Sequence, residues 1–307
     1  MGIRKYIIKS LITSIPVLIG ATFIVFLLMY ISGNPVQVIL GEFATQEQIE
    51  RLNRELGLDK PIIIQYFLWL GKVVRGDLGY SLMSKLPVIQ LISERIVPTL
   101  MLTVTAFLIS IILGVLAGMI SALKHNTKTD DLISTIVLIF FSTPYFWFAT
   151  ILLWISAVYL KMYSLIGPLT IQRLLLPSFA LGLPTSAVYA KIMRSNMLEV
   201  LNQDYIRTAK AKGLREKIIL YRHALKNSLL PIIALAILRI PWLVGGAVIT
   251  ESVFSWPGIG TLMIDAIYRR DFPVVQGIIL IIVVLIIISD IIGDIIISLI
   301  DPRVRLE

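Results

Sequence analysis

The chain contains no cysteine, which excludes disulfides and thiolate-held metals and leaves the redox compartment open. Histidine is nearly as scarce. His125 and His223 stand outside any His-Glu-x-x-His pattern and beside no paired carboxylates, so no metal site is expected. Neither Gly-x-x-x-x-Gly-Lys-Ser/Thr nor Gly-x-Gly-x-x-Gly occurs, and without such a loop nothing cradles the phosphates of ATP or a dinucleotide. Any ATP-driven step must use another chain. Charged residues make up only 15% of the sequence, too few to solvate a soluble domain of this size. Internal repeats are not evident, which counts against transporters built from two related halves.

What the chain has in excess is hydrophobic residues, 57%, with a mean hydropathy of +0.88. That composition belongs to polytopic membrane proteins. Apolar runs of roughly 20 residues predict about six helical spans, at 9–31, 99–123, 132–159, 176–195, 228–250 and 274–298. The fourth is interrupted by Pro177, Gly182 and Pro184. The net charge of +9 is no sign of nucleic-acid binding, because the cations sit in short segments beside apolar spans, where membrane orientation explains them. Arg4, Lys5 and Lys9 precede the first span, and nine Lys/Arg lie from Lys191 through Lys226. Both termini are therefore expected in the cytoplasm. The run from Leu11 to Ile31 is long for a signal-peptide core and no Ala-x-Ala site follows, so the first span is expected to stay as an anchor.

Residues 32–97 form the one long connection, with seven Lys/Arg and seven Asp/Glu. Nothing in that charge opposes an extracytoplasmic position. Thr45 and Gln48 have capping-box spacing, Ile49, Leu52 and Leu56 share a face, and Gly57 then Pro61 supply a stop and a new start. Pro61 to Val74 is apolar enough to lie along the membrane or the spans.

The most informative segment is a basic amphipathic island at 199–227. Leu201, Tyr205, Ile206 and Ala209 form one helical stripe, and after Gly213 a second runs through Leu214, Ile218, Tyr221 and Leu225. Two short helices joined at a glycine are predicted. Arg207, Lys210, Lys212, Arg215, Lys217 and Arg222 cover the remaining faces. Spacing alone leaves two readings open: a helix pair lying on anionic lipid, or a docking element for a partner protein.

The residues Asp204-Tyr-Ile-Arg-Thr-Ala-Lys-Ala-Lys-Gly213 and Arg222-His-Ala-Leu-Lys-Asn227 resemble the "EAA" loop of ABC-importer permeases, in its oligopeptide/dipeptide form. Arg207, Thr208 and Ala209 stand where the general pattern has Glu-Ala-Ala. The same branch is resembled by Ala44 through Pro61, by Gly76-Asp-Leu-Gly79, by Val253 through Gly260, by Asp271 through Gly277 and by Asp301-Pro-Arg303. The resemblance implies an all-α, type I ABC importer permease fold, with 1–97 as a first transmembrane helix plus extracytoplasmic loop and 98–307 as the core. It implies that Asp204, Tyr205, Arg207, Thr208, Ala209, Lys210, Ala211 and Gly213 dock an ATPase. It also implies a sibling permease, two cytoplasmic ATPases that hold ATP and Mg, an extracytoplasmic binding protein, and a bacterial or archaeal cytoplasmic membrane. No cofactor on this chain and no catalysis by it are implied. Di- or oligopeptides lead as cargo, with nickel chelates, glutathione and oligosaccharides carried by relatives.

Arg239, near the middle of the fifth expected span, carries a charge that is costly at bilayer depth. It either pairs with a buried acid such as Asp290 or a neighbouring subunit, or lines an aqueous conduit. With Gly245, Gly246 and Glu251 it makes the candidate translocation path. The two glycines permit close helix contact or local unwinding. Pro144, Pro184, Pro231 and Pro241 are each expected to bend or break a span. Trp256-Pro257-Gly258 reads as an outer loop or an interfacial aromatic anchor. A channel would need a ring of selectivity groups and no docking island. An intramembrane enzyme would need paired acids, and Asp290 with Asp294, one turn apart, is the only close pair.

Overall fold

The computed structural model describes residues 3–31, 36, 40, 45–56 and 58–300. Gly57, Ala44, the closing Asp301-Pro-Arg303 and the side chains of Leu52 and Leu56 lie outside the described residues. Among those described the regular elements are all helical: α1 (Ile3–Ile31), α2 (Gln46–Leu56), α3 (Ile62–Val74), α4 (Val88–Leu123), α5 (Lys128–Ser142) and α6 (Tyr145–Leu153, extended by a wide turn Trp154–Tyr159). They continue as α7 (Ile171–Leu201), α8 (Asp204–Ala211), α9 (Glu216–Leu238), α10 (Ile240–Val253), α11 (Ile259–Tyr268) and α12 (Phe272–Ile300).

Among the described residues four helices are long and apolar enough to cross a membrane, or five if the bent pair α5–α6 is one span. The expected span at 176–195 falls inside α7, which at 31 residues reaches about 46 Å. Its Arg173, Lys191 and Arg194 keep it from reading as a plain lipid-facing rod.

The prolines act unequally. At Pro144 the chain turns by 102° between α5 and α6, because Thr143 takes the extended conformation that a following proline favours. Pro184 breaks nothing: α7 runs through it, and hydroxyls of Thr185 and Ser186 bond the carbonyls of Leu181 and Leu183 in the adjoining turn. Pro231 is likewise inside α9. Pro241 ends the expected span 228–250 in its middle. It sits in the first turn of α10, where its missing N–H costs nothing, and Arg239 becomes the junction residue. The fifth span is thus two helices.

The chain divides into two compact units. One comprises Gly2–Thr99 and Pro257–Ile288. In it Thr45 and Gln48 form the expected capping box, Gln48 N–H donating to Thr45 Oγ1 at 3.4 Å and Thr45 N–H to Gln48 Oε1 at 3.0 Å. Pro61 caps α3. Tyr66, at the centre of α3, donates to the Ile19 carbonyl at 3.0 Å and lies 2.9 Å from Thr22 Oγ1, so α3 lies along α1 as its apolar composition requires. Asp271 is buried and accepts from Ser81 Oγ and from the Leu82 amide. That carboxylate ties the segment just after Gly76-Asp-Leu-Gly79 to the start of Asp271 through Gly277, 190 residues along the chain.

The other unit comprises Leu100–Trp256 and Ser289–Glu307. One cluster holds Leu102, Leu181, Leu243 and Trp256. Trp256 is fully buried, a core residue and not an interfacial anchor. A second cluster gathers Tyr189, Met193, Met197, Ile206, Ala209, Ile219 and Ala224, and it carries the island.

Candidate docking island and translocation path

The helix α8 is too short to be stable alone, and its place is set by two buried side chains. Ile206 is fully buried and Ala209 nearly so, both in the cluster with Met193 and Met197 of α7 and Ile219 of α9. Tyr205 is exposed, although its hydroxyl accepts from Asn227 Nδ2 at 3.1 Å and so ties α8 to α9. Gly213 takes φ +73°. The Gly213 amide donates to the Lys210 carbonyl at 2.9 Å and the Leu214 amide to the Ala209 carbonyl at 3.3 Å, the paired bonds of a Schellman stop. Arg207, Lys210, Lys212, Arg215, Lys217 and Arg222 are all exposed. Asp204, with Arg207 at 3.6 Å, forms an exposed pair of little energetic weight. Thr208 bonds back to the Asp204 carbonyl at 2.9 Å, and Ala211 closes the helix.

The segment after Gly213 departs from expectation in two ways. It is no separate short helix but the start of α9, which continues to Leu238. Its buried face is Ile219 and Ala224, whereas Leu214, Ile218 and Tyr221 of the expected stripe are exposed. A wide π turn over Ile219–Leu225 shifts the helical period there. The expected stripe therefore remains as an outward apolar face, and Ile219 and Ala224 make a second, inward face that a 3.6-residue count does not show.

Beside the island lies a polar clamp that spacing did not reveal. Asp130, in the first turn of α5 ahead of the apolar run from Leu132, is 3% exposed. Arg194 of α7 donates to it bidentately, Nε to Oδ1 at 2.9 Å and Nη2 to Oδ2 at 2.8 Å. Ser121 Oγ, Ser134 Oγ and the Asn126 amide add donors, and His125 Nδ1 lies 3.2 Å from Oδ2. The Arg194 guanidinium, then the Ser121 hydroxyl, hold this carboxyl well below the usual carboxylate range. The clamp joins α4, α5 and α7. Only two acids, Asp130 and Asp131, beside a basic loop hinted at it, since its partner is 64 residues away.

Because the folded-state pKa is depressed, the clamp's stabilisation is complete above the ordinary carboxylate range, declines as pH falls below it, and is gone once pH has fallen through the folded value. Asp130→Asn is expected to cost about 3 kcal/mol by orphaning Arg194, at the low end of the range for buried pairs because that side chain is 32% exposed. Thermal unfolding of the purified assembly checks it. The double variant Asp130→Asn/Arg194→Met should unfold at a higher temperature than Asp130→Asn alone.

Of the expected path residues, Arg239 sits half-buried at the α9–α10 junction with φ −93° and ψ −7°. Asp290 is exposed and joins no ion pair among the described residues, so the expected buried Arg239–Asp290 pair is not made. Gly245 and Gly246 remain helical within α10 without unwinding. A Cβ on Gly246 would lie 3.1 Å from Leu181 Cδ1, while one on Gly245 meets nothing within 4 Å. Glu251 is fully buried.

Residues 114–306 match the family of the binding-protein-dependent transport system inner membrane component, and residues 3–103 match that family's N-terminal region. The chain is 39% identical to the dipeptide transport system permease protein DppB of Alkalihalophilus pseudofirmus, covering 98% of this chain and 99% of that protein. It belongs to this permease family. With the glutathione transport system permease protein GsiC of Escherichia coli K12 the permease shares 36% identity over 98% of its own length and 99% of the relative's. Its fold is similar to that in inward-facing structures of the MetNI methionine ABC transporter, with a TM-score of 0.60 at 19% identity, covering 69% of this chain and 97% of that one. An amino acid ABC transporter gives 0.53 at 17% identity, over 70% and 95% of the two chains. The permease is thus a multi-pass membrane subunit of an ABC importer, as the resemblance of its island implied.

Proposed function

We propose that this permease carries di- and oligopeptides through a cytoplasmic membrane by alternating access, with both termini in the cytoplasm and the island at 199–227 coupling it to an ATPase. The observation that carries the docking role is the two-sided island. Ile206 and Ala209 fix its inner face, while Tyr205, Leu214, Ile218 and Tyr221 remain exposed among six cations. An apolar patch rimmed by charge suits a protein cleft better than water. Positive charge at the island and before α1 supports the cytoplasmic orientation.

In this reading a sibling permease completes the conduit, two ATPases hold ATP and Mg, and an extracytoplasmic binding protein delivers cargo. The peptide class rests on the dipeptide and glutathione relatives, both of whose named cargoes are peptide-like. Closure of the ATPases on ATP would push α8, and its plug of Ile206 into the α7–α9 cluster would pass the displacement on. Arg239, at a helix junction, and Gly245, Gly246 and Glu251 beyond it are the proposed path residues; a positive charge there would attract a peptide carboxylate.

Charge reversal at Arg207 and Lys210 together is expected to lower ATPase retention roughly three- to tenfold, because both cations stand on the exposed docking face. The measurement is co-purification of ATPase with permease, alongside ATP-dependent uptake of a labelled dipeptide in proteoliposomes holding all subunits and the binding protein. Full retention with coupled uptake removes those two residues from the interface. Uptake without the ATPases would overturn the docking role altogether.

A further inference from the structure

A groove of about 480 Å³ opens between α5 and α7, beside the Asp130–Arg194 clamp. Its wall on α5 is apolar, formed by Ile133, Val137, Leu138 and Phe141. Its polar end is made by Lys191 and Ser195 of α7, both exposed. The charges there are unequal in availability. Arg194 is committed to Asp130 through two bonds, whereas Lys191 makes no ion pair among the described residues. The Lys191 ammonium instead stands 5.3 Å from the centroid of the Phe141 ring, an arrangement that holds it over the apolar wall.

We propose that this groove is a binding site for one acidic phospholipid, its phosphate on Lys191 and Ser195 and an acyl chain along the α5 wall. Charge complementarity selects an anion, since no carboxylate among the described residues lines the groove and Asp130, in the clamp beside it, is already paired with Arg194. The apolar wall selects a lipid over free phosphate, because inorganic phosphate would leave Ile133, Val137 and Leu138 uncovered. Depth agrees as well. Lys191 lies four residues before the end of the apolar run expected at 176–195, about 6 Å along the helix, a distance its flexible stem covers to the headgroup layer. The clamp keeps α5 and α7 at a fixed separation, so the groove is preformed. A zwitterionic lipid would fit the wall but carries its own cation beside the phosphate and loses most of the attraction to Lys191.

The test uses the complete importer complex, delipidated in detergent and titrated with phosphatidylglycerol or phosphatidylcholine while bound lipid is counted by native mass spectrometry. Lys191→Gln is expected to weaken phosphatidylglycerol binding about fivefold, and Lys191→Arg to restore it, with phosphatidylcholine binding weakly to all three. Excess inorganic phosphate should not displace the lipid. Equal retention of phosphatidylglycerol by Lys191→Gln, or equal binding of the two lipids by the parent, overturns the proposal. So does competition by inorganic phosphate alone. The sibling permease filling the groove would overturn it too, seen as loss of amine labelling at Lys191 on assembly of the lipid-free complex.

Discussion

Replacing Gly213 by valine is expected to leave ATP hydrolysis by the assembled importer running while dipeptide uptake falls roughly tenfold, the factor that corresponds to about 1.4 kcal/mol. The backbone there has φ +73°, and a Cβ would meet nothing within 4 Å. Space is therefore not the constraint. The left-handed conformation is, and a β-branched side chain resists it where asparagine does not. Losing the Schellman stop would release Leu214 and rotate α8 against the start of α9, so the exposed residues on the two helices would no longer present one surface. Gly213→Asn is expected to retain most of the uptake. Parallel ATPase and transport assays on both variants decide it: parental uptake in Gly213→Val removes the turn from coupling, and equal damage by asparagine shifts the cause from backbone to side chain.

The second large effect is expected at Gly118, where α4 crosses α7. A Cβ on Gly118 would collide with the Ala190 carbonyl oxygen and stand 2.6 Å from Met193 Cβ, and Gly114, one turn earlier, is as tight against Ser186 and Tyr189. The first of these contacts is backbone, which no rotamer change relieves. Gly118→Leu is expected to reduce the yield of folded, assembled complex about tenfold, corresponding to an overpacking cost within the usual 1–3 kcal/mol. Gly245→Ala is the control for packing and should leave the yield of assembled complex unchanged, since that position is open. Size-exclusion yield of the intact complex from equal membranes is the measurement. An unchanged yield for Gly118→Leu would mean that α4 and α7 are not held as closely as these contacts require.

These two glycines differ in how much of their role is visible in sequence. Gly213 could be placed because a local signal surrounds it: a short amphipathic stripe, cations, then a residue able to take positive φ. Gly118 carries no such local sign, because its role is set by Ala190 and Met193, more than 70 residues along the chain. The same division separates Thr45–Gln48, whose capping box follows from spacing, from Asp130–Arg194, whose bidentate pair depends on two helices meeting.

By itself the sequence determined the membrane class, the positions of the apolar runs, the island and its glycine stop, and the break at Pro144, since each depends on hydropathy or backbone preference over a few neighbouring residues. Tertiary structure alone decided that α7 stays whole through Pro177 and Pro184, and that Arg239 belongs to a junction and not to a continuous span. It also decided that Ile219 and Ala224 face inward while Ile218 and Tyr221 face out, and that Trp256 is core. The physical reason is common to all of these. A period or a proline fixes local geometry, but which face is buried and which charge is paired follow from what packs against it, and here those partners are distant in the chain.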